Sequence, residues 1–309
     1  MGEMVNYLIR RLIWSVAVVV GVSVVVFVVT HAIGDPVRLM LPLEASQEEY
    51  LAMRHAWGFD RPLYVQFADF AVKALQGDFG ESLWQRTPAL ALVIDRLPAS
   101  FLLSFVAIFI AIAGSIPLGI LAALRPRSLL DRLCVMGSLL GVCIPVFWLG
   151  MMVILAFAVE LGWFYTSGYG TWKHLVLPAV TLAALPMGRI TQIVRSSMLD
   201  ELHRQYMMTA RAKGLGEGYI IVRHALKNAA IPIVTLAAWE LTRMLAGYTI
   251  VVEKVFAWPG FGLLAMQAIE RHDLPLIQAD VFVVALIVVV LNIAIDFIYA
   301  ALDPRVRFE

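Results

Sequence analysis

The sequence predicts an all-α integral membrane protein with about six transmembrane helices, and three observations carry that prediction. Of its 309 residues, 61% are hydrophobic and 15% charged, against roughly 45–50% and about 25% in soluble domains. Mean hydropathy is +0.82. Apolar runs near the roughly 20 residues that span a bilayer recur along the whole chain.

The first run, about 12–33, follows Arg10 and Arg11 and is long for a signal-peptide core. It ends in His31-Ala32-Ile33-Gly34-Asp35-Pro36 without a small-residue cleavage site, so it reads as a retained signal anchor. Residues 34–98 form a long polar segment, in which Gly34-Asp35-Pro36, Gly58-Phe59-Asp60-Arg61-Pro62 and Gly77-Asp78-Phe79-Gly80 separate amphipathic stretches near 46–56 and 63–76. A helical loop is expected there. Further apolar runs at about 99–124, 133–160, 174–194, 229–252 and 277–302 make 99–309 a five-helix core. Between its third and fourth helices, segment 195–228 carries Gly214, Gly216 and Gly218 between two helical stretches. The expected organisation is therefore 1–33, 34–98 and 99–309.

Lys and Arg set the orientation. Arg10, Arg11, Arg125, Arg127, Arg132, Arg195, Arg204, Arg211, Lys213, Arg223, Lys227, Arg305 and Arg307 gather on one side, which is expected to be cytoplasmic together with both termini. The long 34–98 segment is then extracytoplasmic. A net charge of +1 and a pI near 7.8 give no global basic field for nucleic acid.

The chemistry of an enzyme is missing. No phosphate-cradling Gly-x-x-x-x-Gly-Lys-Ser/Thr occurs, so ATP cannot be hydrolysed by that route, and no zinc-protease or nucleophile-elbow motif occurs either. The histidines at 31, 55, 174, 203, 224 and 272 are scattered without metal-ligand spacing. Cys134 and Cys143 are nine residues apart, on opposite faces of one helix, and cannot pair. Gly137 and Gly141 have the spacing that lets helix backbones approach, which speaks of packing.

Two strings in the 195–228 segment identify a family by resemblance: Tyr206-Met207-Met208-Thr209-Ala210-Arg211-Ala212-Lys213-Gly214-Leu215 and Arg223-His224-Ala225-Leu226-Lys227-Asn228-Ala229-Ala230-Ile231-Pro232. They resemble the coupling loop of binding-protein-dependent ABC importer permeases of the oligopeptide, dipeptide and nickel type. The likeness extends through Gly77-Asp78-Phe79-Gly80-Glu81-Ser82, Pro145-Val146-Phe147-Trp148-Leu149-Gly150, Arg195-Ser196-Ser197-Met198, Val255-Phe256-Ala257-Trp258-Pro259-Gly260-Phe261-Gly262 and Leu302-Asp303-Pro304-Arg305. The resemblance implies a permease subunit forming half of a solute path in the bacterial inner membrane. A second homologous permease as heterodimer partner, two cytoplasmic ATPases that hold ATP and Mg, and an extracytoplasmic solute-binding protein would complete it; no cofactor is expected in this chain. It also implies that Thr209, Ala210, Arg211, Ala212, Lys213, Gly214, Leu215, Gly216 and Glu217 form a coupling helix and turn that dock in an ATPase groove, with Arg211 and Lys213 available to partner carboxylates. The family's usual Glu is replaced by Met208.

Charges within the apolar runs are candidates for the path. Glu240 and Arg243 fall near mid-span, where each charge costs roughly 2.5–3.5 kcal/mol on insertion scales. Three residues apart, they share a helix face and can pair. Arg189 and Asp296 are further candidates. The competing class is an ion- or proton-coupled secondary transporter, which would favour internal repeats around a midplane site; none is evident in the sequence.

Overall fold

The computed structural model describes residues 2–32, 37, 46–56 and 58–302. The expected turn at Gly34-Asp35-Pro36 and the terminal Asp303-Pro304-Arg305 lie outside the described residues. In chain order the helices are α1 (Gly2–Ala32), α2 (Gln47–Ala56), α3 (Leu63–Leu75), α4 (Ala89–Leu124), α5 (Leu129–Cys143), α6 (Val146–Glu160), α7 (Trp172–Leu202), α8 (Gln205–Ala212), α9 (Glu217–Phe256), α10 (Phe261–Glu270) and α11 (Leu274–Leu302). Among the described residues the secondary structure is helical apart from an isolated bridge between Glu81 and Pro88.

Among the described residues four helices are long and apolar enough to cross a membrane: α4, α7, α9 and α11 over Leu274–Phe297. The bent pair α5 and α6 brings the total to five. The remaining expected span falls on α1, whose apolar described stretch, Ile13–Val28, is shorter.

Two differences from the expected elements have plain causes. The run at 133–160 is not one straight helix but two, bent by 105°. Pro145 disfavours the helical conformation of its predecessor, and Ile144 is extended with φ −74° and ψ 126°. In addition, α4 begins at Ala89, ahead of the apolar run at 99, because Asp95 and Arg96 interrupt hydropathy without interrupting the helix. Both cysteines are free, half-buried Cys134 inside α5 and exposed Cys143 at its end.

The chain divides into two compact units, one of Met1–Ala99 with Pro259–Val290, the other of Ser100–Trp258 with the segment from Leu291. In the first, Phe27 of α1 meets Phe67 and Phe70 of α3 at ring distances of 5.4 and 6.1 Å, and Phe79 meets Phe282 of α11 at 5.2 Å. Asp273 sits just before α11; its Oδ2 accepts bonds from Ser82 Oγ at 2.5 Å and Trp84 N at 3.2 Å. Arg271 lies over the Trp84 ring at 3.8 Å, a cation–π contact.

The second unit is built on α7. Helix α5 runs against it through glycine: a Cβ on Gly188 would stand 2.4 Å from the Ser138 carbonyl oxygen, and one on Gly141 2.8 Å from that of Ala184. Gly137 has nothing within 4 Å, so the close approach belongs to the second glycine of the Gly-x-x-x-Gly pair. Pro178 and Pro186 are buried within α7, and α9 carries Pro232. Helix α9 departs from α-helical winding twice, into π turns at Ile220–Leu226 and Met244–Tyr248.

Candidate functional site

The coupling candidates form a compact knob. Helix α7 ends at Leu202, and α8 starts after Arg204 and closes at Ala212. Gly214 then turns the chain with φ +76°, a region that glycine enters without penalty. Helix α9 restarts at Glu217, so Gly218 lies inside a helix and not in the break. Arg211 reaches across the turn, its Nε 2.7 Å from Glu217 Oε1. The Arg211 guanidinium is therefore engaged within the knob, which is a difference from the expectation that it stands free for a partner. Met208 and Leu215 are exposed apolar side chains on the same feature, while Met207 and Ala210 are buried beneath it.

The knob is tied to its base through Tyr206. Its hydroxyl donates to Glu201 Oε2 at 2.5 Å at the end of α7 and accepts from Asn228 Nδ2 at 2.9 Å on α9. Burial, and next the Glu201 carboxylate, push the Tyr206 hydroxyl above its ordinary pKa.

Within the helices, Arg189, Glu240 and Arg243 meet. Arg189 Nη1 on α7 donates to Glu240 Oε1 at 3.0 Å, and Arg243 Nη1 donates to the same oxygen at 3.2 Å. Glu240 is fully buried. Asp296 lies half-buried on α11 and makes no ion pair with these three among the described residues. Sequence reasoning anticipated the pairing of Glu240 with Arg243, but not that Arg189 would join it across helices.

Four buried carboxylates among the described residues went unselected, Asp131, Glu253, Asp273 and Asp280. Asp131, at the start of α5, is gripped by Arg195 of α7 and also accepts a bond from Arg127 N at 2.8 Å. Glu253 on α9 accepts from Ser100 Oγ at 2.5 Å. Asp131 and Arg195 are 64 residues apart, beyond any local spacing rule; a carboxylate at the edge of an apolar run was the available signal. Among the described residues no group of His, Cys, Asp and Glu is placed to hold a metal.

Long apolar helices that flank a compact knob and carry paired charges are the build of a polytopic membrane protein. The chain belongs to the family of binding-protein-dependent transport system inner membrane components, matched over residues 115–308, with that family's N-terminal region matched over residues 4–104. It is 38% identical over 307 residues to the glutathione transport system permease protein GsiC of Escherichia coli strain K12, covering 99% of this chain and 100% of the relative. The GsiC protein of Salmonella typhimurium strain LT2 is 37% identical over the same length. An inward-facing structure of the MetNI methionine ABC transporter shares the fold with a TM-score of 0.56 at 21% identity, covering 69% of this chain and 96% of that one. The chain is thus a multi-pass inner-membrane permease subunit of an ABC importer, and ATP is hydrolysed by separate subunits.

Proposed function

We propose that this chain pairs with a second, homologous permease to enclose a path for peptides or peptide-like solutes, the glutathione class included. An external binding protein delivers the solute, and residues 209–217 dock on an ATPase subunit that supplies ATP and Mg. Both termini and the knob face the cytoplasm, as the gathering of Lys and Arg supports, and 34–98 faces outward.

The observation that carries the coupling assignment is the knob itself. It connects α7 and α9, two candidate spans, through a short helix and a glycine turn, with Tyr206 bonded to both sides. A force on such a knob moves both spans together. Full-length similarity to glutathione permeases supports the solute class. The paired intramembrane charges support a path for solutes that carry charge of their own.

The test uses the two permeases, the ATPases and the cognate binding protein in vesicles. Glutathione and a panel of di- and tripeptides are offered, and ATP-dependent accumulation is measured beside thermal stabilisation of the binding protein. Accumulation of panel members that also stabilise the binding protein is expected. Accumulation driven by a proton gradient without ATP, or of no panel member, overturns the reading.

A further inference from the structure

The Arg189–Glu240–Arg243 cluster is an incomplete set of charges. Both guanidiniums share one oxygen of Glu240, while the other, Oε2, is buried without a hydrogen-bond partner. A carboxylate that merely satisfied one arginine would use both oxygens in a fork. Two cations against one anion leave a surplus positive charge in an apolar stretch, and the side chains differ in access: Glu240 is 0% exposed, Arg189 31% and Arg243 46%. Buried ionic groups in membrane helices are costly, and they face interior or water-filled surfaces.

The backbone changes at the same place. Helix α9 is α-helical from Lys227 to Arg243 and then winds into its second set of π turns over Met244–Tyr248. Such insertions recur at functional sites. Arg189 and Arg243 each bond Glu240 Oε1, and Arg243 stands at the last α-helical position before the π turns, the more exposed of the two guanidiniums.

We propose that Arg243 is a carboxylate-binding residue for solute in transit, with Glu240 as the internal anion that the solute's carboxylate displaces. Arg243 exchanges Glu240 Oε1 for the incoming carboxylate. Arg189 then takes Glu240 alone, the empty Oε2 offering the second acceptor of a fork. No bond is made or broken except hydrogen bonds, and the charge stays balanced: one carboxylate per guanidinium once solute is present. The arrangement selects solutes with a free carboxylate over the same solutes with that group amidated or esterified. This rests on the reading of the chain as the permease of a peptide-type importer, and it names the solute group that the path recognises.

The assembled permease–ATPase complex, without binding protein, is titrated with glutathione, dialanine and trialanine, and with glutathione diethyl ester and the two peptide amides, following thermal unfolding. Wild type should be stabilised by the free acids and not by the ester and amide forms that lack a carboxylate. Arg243→Met should weaken apparent acid affinity by about tenfold or more, the scale for one charge-assisted bond, and abolish the preference for acids. Arg243→Lys should fall between the two, because charge is kept and the planar fork is lost. Glu240→Gln should bind acids at least as tightly as wild type, since the internal competitor is neutral. ATP-driven uptake by the complete wild-type system, run in parallel, tests the importer reading separately. Uptake that stands while the free acids and their ester or amide forms stabilise the wild-type complex equally, or while Arg243→Met and Arg243→Lys both keep the wild-type preference, overturns the assignment of Arg243.

Discussion

Arg195 holds Asp131 with two hydrogen bonds, Nε to Oδ1 at 2.5 Å and Nη2 to Oδ2 at 2.8 Å, which ties the start of α5 to the C-terminal third of the second unit's central helix, α7. The same carboxylate takes the amide of Arg127, a residue in the left-handed region with φ 65°, and the amide of Asp131 is bonded to the N-capping Ser128. One side chain therefore fixes a tight turn, a helix start and an interhelix contact. Asp131 is almost fully buried and Arg195 is 28% exposed, so removing either leaves the other without its charge partner.

Asp131→Asn should cost about 3 kcal/mol, the lower end for breaking a buried ion pair, because Arg195 keeps partial access to solvent. Arg195→Met should cost about as much. The double variant should recover part of the loss, since no uncompensated charge remains. Thermal unfolding of the purified complex measures all three, and additive losses in the double variant would mean that the two residues act independently.

Glycine contacts between α5 and α7 give a paired prediction. Gly188→Ala places a Cβ 2.4 Å from the Ser138 carbonyl oxygen, an overlap that backbone cannot relieve cheaply; about 1–3 kcal/mol of destabilisation is expected from such overpacking. Gly137→Ala meets nothing within 4 Å and should be neutral or slightly stabilising, because alanine is the better helix residue. Equal effects at both positions would contradict the observed packing.

How much of this was legible beforehand follows the range of each interaction. Apolar runs, the glycine break at Gly214 and the Glu240–Arg243 pair are local in sequence, and each is where the periodicity and spacing put it. The 105° bend at Ile144–Pro145 was not legible, because hydropathy is blind to backbone direction and passes through the proline unbroken. Arg189 and Asp131 found their partners 51 and 64 residues away; such pairs are set by how helices pack. The π turns at Met244–Tyr248 left no mark in the sequence either, since Gly247 is the one unusual residue there and it retains an ordinary backbone angle.

Tyr206 joins the ends of two spans, so Tyr206→Phe should loosen the knob from its base. Two partly exposed hydrogen bonds are lost, and about 0.5–1.5 kcal/mol is the scale for each before screening by water. Insertion and solute stimulation should persist, with more ATP consumed per solute accumulated. The pH dependence has a definite sign: the folded hydroxyl titrates above its ordinary value because of burial and the Glu201 carboxylate. Its contribution is fully present below the ordinary tyrosine pKa of about 10 and is lost as pH rises through the folded value. A difference titration at the phenolate absorbance, wild type against Tyr206→Phe, should show one hydroxyl ionising later than the exposed tyrosines.

Gly214 offers the cleanest test of the knob as a transmitter. Its φ of +76° is strained for any residue with a side chain, yet a Cβ there would meet nothing within 4 Å. Substitution therefore acts on the backbone alone. Gly214→Ala should cost about 1 kcal/mol, and Gly214→Val more, since a β-branched residue tolerates positive φ least. Gly214→Asn should recover much of the loss, because asparagine enters the left-handed region more readily than other non-glycine residues. If the turn presents α8 to an ATPase, the order Gly, Asn, Ala, Val should be followed by ATPase association and by solute accumulated per ATP hydrolysed, with membrane insertion and binding-protein docking unchanged. Reconstituted vesicles allow both rates to be measured together. An order that tracks side-chain size instead, with Asn worse than Ala, would show that the partner reads the surface at position 214 and not the conformation of the turn.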